Sequence, residues 1–382
     1  MRVLMIVRQF YPWIGGAERQ AQKLSQALIA QGMDVKVITG WWFRGTSQHE
    51  VVEGIPVYRN FTMWEMFGIR GLRKFGCYLY MITLMLYLWW HRHEYDLLHM
   101  HQLNYHTFVG ALAGKWFNKK TIVKIANSGS YSDLLMMQQN AKLLGTRQML
   151  PVALQTDFFV AITPLIVQEL QEVGIPTTRI LEIPNGVDVE KVEPKANYQL
   201  HDPVTLVFVG RLHPQKRLDL LLPAFKQAKL ARPKLRWRLL LVGDGPLRES
   251  LETMAQELDS ADEIIFCGET NDVPCYLTQA DIFVLPSCGE GMSNALLEAM
   301  TYGLPCLASL DGGNNDIICP GENGLLVDCN DPDILAQGIT GLIDNHAQRE
   351  RLGQAARQTV ENRFAIKHIA EQYITLYDKL VT

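Results

Sequence analysis

The chain lacks most of the features that would place it at once. Its seven cysteines are scattered, with no CxxC and no paired spacing. That argues against a disulfide framework and reads as reduced thiols in a cytoplasmic protein. No long run of one charge occurs: 36 basic against 40 acidic residues leaves a formal net charge of −4. A dedicated nucleic-acid binder would carry a basic stripe, so no nucleic acid is expected as a partner. The opening "MRVLMIVRQFYPWIGG" has a short apolar run followed by a glycine loop where a signal peptide would have a cleavage site. The apolar stretch "FGCYLYMITLMLYLWW", Phe75 to Trp90, falls short of the ~20 residues that span a bilayer. There is no internal repeat and no low-complexity segment.

What remains is a chain of 382 residues with 48% hydrophobic content, enough for two cores at roughly 100–200 residues per domain. "RVLMIV" reads as a buried strand, "AERQAQKLSQALIAQG" as a helix ending at Gly32, and "DVKVITG" as the next strand. "DLLHMHQ", "KTIVKIA" and "DFFVAIT" continue the strand series. The turn "IPNGVD" interrupts the alternation. It restarts with "VTLVFVG", "RWRLLLVG", "EIIFCG", "DIFVLP", "PCLAS" and "GLLVD", with helical segments between. This order predicts two α/β, doubly wound domains, 1–188 and 189–364, with a partnerless helix over 365–381. Ligands of open parallel sheets bind beyond the C-terminal ends of the strands, so the residues just after strands are the candidates.

Gly15 and Gly16, before the first helix, would let backbone N–H groups approach an anion, or simply make a tight turn. They are not part of a GxGxxG fingerprint. "GRLHPQK" puts Arg211 and Lys216 after a strand, as an anion site or as solvated surface cations. Gly268 and Glu269 in "FCGETND" suit the wall of a base or ribose site, or a plain turn. "GEGMSNALLEAM" places glycines around Glu290, N-cap types at Ser293 and Asn294, and Glu298 among apolar neighbours. A carboxylate there is costly to bury unless hydrogen-bonded. In "DLLHMHQ", alternation puts His99 and His101 on one face. They can be a metal pair, buried structural histidines, or hydrogen-bonding groups in a cleft.

Jointly, "GGAE", "IPNGVD", "GRLHPQKRLDLLLPAF", "LVGDGPLR", "GEGMSNALLEAMTYGLPCLAS" and "GENGLLV" resemble the retaining GT-B glycosyltransferases of glycosyltransferase family 4. The Glu290–Glu298 segment matches the family's E-x7-E motif. The resemblance implies a GT-B fold, two Rossmann-like domains facing an interdomain cleft, with the last helix packing back on the N-terminal domain. It implies a nucleotide-diphosphate sugar, UDP-sugar being the commonest donor, and no metal or other cofactor. By motif, Arg211 and Lys216 would contact the diphosphate, Glu298 the ribose and Glu290 the sugar. Backbone N–H groups of Gly291, Met292, Ser293 and Asn294 would line sugar and phosphate, and Gly16 would approach the diphosphate. His101 is retained as a catalytic candidate. The chain departs from the family in lacking the usual histidine near Ala126 or Asn127, and in reading Lys216-Arg217 for Lys-Gly and "GGNND" for "GGxxE".

Two carboxylates invite a glycosidase reading, which needs a pair ~5–5.5 Å apart. Eight helical residues rise about 12 Å, so we read Glu290 and Glu298 as positioning groups. Rival readings are a nucleotide-sugar 2-epimerase, a phosphorylase, or a nucleotide-binding homologue without catalysis. Arg70, Arg73 and Lys74 precede the apolar stretch, and Trp89 and Trp90 end it. This pattern fits a helix packed on the sheet or one lying at a membrane surface. A peripheral membrane contact through 62–93, at the inner face, would suit a glycan or lipid-linked acceptor.

Overall fold

The computed structural model describes residues 1–12, 15–62, 73–140 and 143–381. The chain forms two compact units, Met1–Gly186 with Ile366–Thr382, and Val187–Ala365.

The first unit is built on β1 (Arg2–Ile6), β2 (Asp34–Gly40), β3 (His49–Val52), β4 (Ile55–Asn60), β5 (Leu97–His101), β6 (Lys120–Ile125), β7 (Phe158–Ala161) and β8 (Ile180–Glu182). They pair in the order β3-β4-β2-β1-β5-β6-β7-β8. All neighbours are parallel except β3 and β4. The sequence reading placed no strand between Gly40 and Leu97. A two-residue turn, Glu53 (φ +48) and Gly54 (φ +83), joins β3 to β4. Two left-handed residues match the twist of a tight hairpin, and their cue was the Glu-Gly pair.

Strands buried on both faces read as continuous apolar runs, and β1, β5 and β6 do so. Helix Gly16–Ala30 covers one face with Ala21, Leu24 and Leu28. The last helix, Ile366–Val381, joins the same core with Ile369, Ala370, Tyr373, Leu376 and Tyr377, an i, i+1, i+4, i+7, i+8 stripe. On helix Arg73–Trp90, Tyr80, Leu84 and Leu88 are fully buried, whereas Phe75, Ile82, Leu86, Trp89 and Trp90 are exposed. Among the described residues no helix is long and apolar enough to cross a membrane.

The second unit is built on β9 (Val204–Val209), β10 (Trp237–Val242), β11 (Ile264–Gly268), β12 (Ile282–Leu285), β13 (Cys306–Ser309) and β14 (Leu325–Val327). The order β11-β10-β9-β12-β13-β14 is parallel throughout. The order reverses at β9, whose successor in sequence lies on one side and β12 on the other. That is the switch point where doubly wound sheets bind ligands.

Candidate functional site

β9 is buried along its whole length and delivers the chain through Gly210 to Arg211, which is exposed. The short turn Pro214–Lys216 follows, and His213 caps it: Nδ1 accepts from the Gln215 N–H at 3.4 Å. Burial, then the Arg211 and Lys216 cations, hold the His213 imidazole below its usual range.

Lys216 Nζ is ion-paired with Glu290 Oε1, their side chains 16% and 12% exposed. Sequence reading put both residues at the site without linking them. The link comes from the sheet, because the loops after β9 and β12 leave adjacent strands. Gln215 ties the loops together: its Nε2 donates to Gly289 O at 3.0 Å and its carbonyl accepts from Cys288 N–H at 2.8 Å. Gly312 (φ +70) presses on Glu290 from the other side. A Cβ there would stand 2.6 Å from Glu290 O, and the Gly313 N–H donates to the same oxygen at 2.8 Å. This is where the "GGNND" loop acts, as a backbone brace for Glu290.

The neighbouring strand ends also meet through glycine. A Cβ on Gly243 (φ +131) would stand 2.1 Å from Gly210 O, and the Gly243 N–H donates to Gly268 O at 2.9 Å. Gly268 is left-handed (φ +74), and Glu269 after it is exposed. These contacts bring the ends of β9, β10 and β11, with Arg211, Gly268 and Glu269, to one edge.

After Glu290 the chain runs through buried Gly291, Met292 and Ser293 into helix Asn294–Thr301. The Ser293 side chain caps it, accepting from the Leu296 N–H at 3.4 Å. Glu298 is half-buried on that helix. Burial first, and the Glu298 charge second, raise the Tyr302 hydroxyl, so Glu298 lies close to that ring.

In the first unit Gly15 is the extended N-cap of helix Gly16–Ala30, without a side-chain cap. A Cβ on Gly15 would stand 2.7 Å from Glu18 Oε2. The carboxylate of buried Glu18 thus lies over the helix start, supplying from within the chain part of the negative charge that this end favours.

His99 and His101 do share one face, their rings stacked with centroids 4.4 Å apart. His99 Nδ1 meets the Tyr377 hydroxyl at 2.7 Å, and His101 Nε2 faces Met5 Sδ at 3.3 Å. Burial, and behind it the charge of Lys124, lowers His99 to about 3. Burial again, then His99, drives His101 well below its usual range. Neutral, 3% exposed and packed among aromatic and sulfur groups, His101 is a core histidine. Alternation fixes which residues share a face, not whether that face is covered. No group of three or more His, Cys, Asp or Glu that could hold a metal occurs among the described residues.

His213 is the site residue that sequence reading passed over. Its cue was its position between Arg211 and Lys216 in "GRLHPQK".

Comparison with known proteins bears on both units. Residues 14–191 match the family model described as Glycosyltransferase Family 4, and residues 190–359 the one described as Glycosyl transferases group 1. The lipopolysaccharide core biosynthesis glycosyltransferase LpsD of Rhizobium meliloti (strain 1021) is 28% identical over 377 residues, 96% of this chain and 95% of that protein. The N-acetyl-alpha-D-glucosaminyl L-malate synthase of Bacillus anthracis is 24% identical over 381 residues, 96% and 94% of the two chains. Among solved structures, Anabaena HepE in complex with UDP-glucose superposes with a TM-score of 0.77 at 17% identity over 100% of both chains. Sucrose-phosphate synthase from Thermosynechococcus elongatus gives 0.80 at 21% identity over 100% and 99%.

Proposed function

Because the chain belongs to glycosyltransferase family 4 and is a GT-B glycosyltransferase, we propose that it moves a sugar, with retention and without a metal, from a UDP-sugar to an acceptor hydroxyl. The acceptor we propose is a glycan or lipid-linked sugar of polysaccharide or glycolipid assembly, the setting named for the LpsD relative.

The observation that carries this reading is the Lys216–Glu290 pair at the switch point of the second sheet, with Arg211 beside it. Cleaving a sugar–diphosphate bond builds negative charge on the departing phosphate. Preorganised cations and N–H donors aimed at that charge lower the barrier by roughly 3–4 kcal/mol each. Arg211 and Lys216 have the chemistry, and the N–H groups of Gly291 to Asn294 run into a helix start that favours an anion. In the unliganded site Glu290 neutralises Lys216. A bound diphosphate competes for the ammonium and leaves the Glu290 carboxylate free to accept from sugar hydroxyls. Glu298 then takes the ribose hydroxyls, and Gly268 and Glu269 border the base or ribose. For Gly15 and Gly16 we propose backbone donation to the diphosphate. The departing phosphate oxygen would take the acceptor proton.

Two substitutions test the division of labour. Glu298→Ala should weaken UDP binding, measured by calorimetry, with turnover at saturating donor less affected. Glu290→Ala should lower turnover while UDP binding persists; a fully active Glu290→Ala enzyme would refute its role. Dialysis against chelator should leave activity intact. Activity lost and restored by a divalent ion would refute metal independence.

We also propose a peripheral contact with the inner face of a membrane through 62–93. Arg70 lies outside the described residues, as does most of 62–72. What supports the contact is the outer stripe of helix Arg73–Trp90, where Phe75, Ile82, Leu86 and Trp90 (72% exposed) remain uncovered while Lys74 and Arg92 flank them. The buried inner stripe answers the alternative of core packing, so one helix does both. Flotation with anionic liposomes should carry the protein upward, and Trp90→Ala with Ile82→Ser should release it.

A further inference from the structure

The second unit holds a cavity of about 190 Å³ that the transfer site does not use. Ser287 lines it from the loop after β12, Asp311 from the loop after β13, and Asp328 with Asn330 from the loop after β14. Arg217 lines it from the turn after β9. The cavity is smaller than the roughly 300–1,000 Å³ of sites for drug-sized ligands, so its occupant is small.

Four polar groups give the cavity its chemistry. Ser287 is 0% exposed and its Oγ has no hydrogen-bond partner. Buried hydroxyls are ordinarily partnered, so a bare one on a cavity wall points to a partner that enters the cavity. Asp311 Oδ2 accepts from the Gly289 N–H at 3.2 Å. Asp328 Oδ1 accepts from the Asn330 N–H at 3.0 Å and from its Nδ2 at 2.9 Å. Arg217 Nη1 donates to Asn330 Oδ1 at 2.9 Å, and its Nε lies 3.7 Å from Asp219 Oδ1. Among the described residues nothing bonds the second oxygen of either carboxylate, or Arg217 Nη2. Arg217 is left-handed (φ +50), a conformation that glycine adopts more easily. This chain nevertheless carries an arginine there, which brings a guanidinium to the cavity.

We infer that this cavity binds a small zwitterion, an α-amino acid, with Asp311 and Asp328 taking its ammonium and Arg217 and Ser287 its carboxylate. A phosphate would meet two carboxylates, and a metal ion would meet the guanidinium. Only a ligand that carries both signs satisfies both walls. Arg217 follows Lys216, Asp311 precedes Gly312, and Ser287 lies in the loop that carries Glu290. The bound zwitterion therefore touches each loop that holds the Lys216–Glu290 pair. Any effect on turnover rests on the reading above; binding does not.

The test is calorimetric titration of the full chain with glycine, L-alanine, L-serine, L-aspartate and L-lysine, and with acetate, methylamine and inorganic phosphate as probes of one sign. We expect at least one amino acid to bind roughly tenfold or more tightly than any probe of one sign. Asp328→Asn and Arg217→Gly should each weaken it roughly ten- to a hundredfold, the range of a hydrogen bond to a charged group. UDP affinity should stay unchanged in Asp328→Asn. No amino-acid binding, acetate or phosphate bound as tightly, or unaltered binding in either variant would overturn the inference. So would loss of UDP binding in Asp328→Asn, since the site would then not be separate. Failure of the wild type to bind UDP would instead fault the transferase reading.

Discussion

Lys124 offers the sharpest prediction about the first unit. It sits in β6, 4% exposed, level with His101 on β5, and no carboxylate is paired with it among the described residues. Burial lowers its ammonium from 10.5 to about 7. The sign follows from linkage. Above pH 10.5 the lysine is neutral folded and unfolded, and there is no penalty. As pH falls from 10.5 to about 7 the unfolded chain takes up a proton that the folded chain resists, so stability is lost. Below about 7 the penalty is complete. The gap of 10.5 − 7 = 3.5, at about 1.36 kcal/mol each, sets an upper bound near 5 kcal/mol once the penalty is complete, and a little over ~4 kcal/mol at pH 7, where the folded lysine is half protonated. Lys124→Met keeps the unbranched length and removes the charge. It should therefore stabilise the first unit at pH 7 by up to about 4 kcal/mol, a rise of roughly 10 °C in its thermal midpoint. The gain should shrink toward zero by pH 10.5. The assay is thermal unfolding of wild type and variant followed by tryptophan fluorescence at pH 7, 8.5 and 10. Other titrations cancel in the difference between the two proteins. A Lys124→Met variant that is less stable at pH 7, or whose gain does not change with pH, would refute the reasoning.

Lys216→Met should lower turnover at least a hundredfold, because it removes a cation aimed at developing phosphate charge, while the thermal midpoint moves little; initial rates and a melt check both parts. Gly243→Ala should destabilise the second unit by roughly 3 kcal/mol or more, since its Cβ would stand 2.1 Å from Gly210 O, and denaturant midpoints would show it. Gly312→Ala should lower turnover through displacement of Glu290, whose carbonyl a Cβ would meet at 2.6 Å; steady-state kinetics would detect it.

Much of the fold was open to reading in the chain. Buried parallel strands read as unbroken apolar runs because both faces are covered, and β1, β2, β5, β6, β9 and β10 were all visible that way. The β3–β4 hairpin was not, since two short strands at a sheet edge carry little apolar signal. The E-x7-E segment was legible because a cap residue, flanking glycines and two carboxylates in one short stretch have few purely structural explanations. His213 was overlooked because a histidine in a loop carries no pattern of its own. What distinguishes it is the company of Arg211 and Lys216 in space.

The sequence alone determined the alternation of strand and helix, the glycines where strands end, and which chemical groups stand at those ends. These are local properties, written in periods of two and of three to four residues. Only the tertiary structure decided which ends meet. Lys216 and Glu290 are 74 residues apart and pair because β9 and β12 are neighbours. The last helix, more than 260 positions later, lays Tyr373 and Tyr377 against His99, on which the His101 ring stacks. Burial and pairing depend on strand order and on what covers each face, and neither is a local property of the chain.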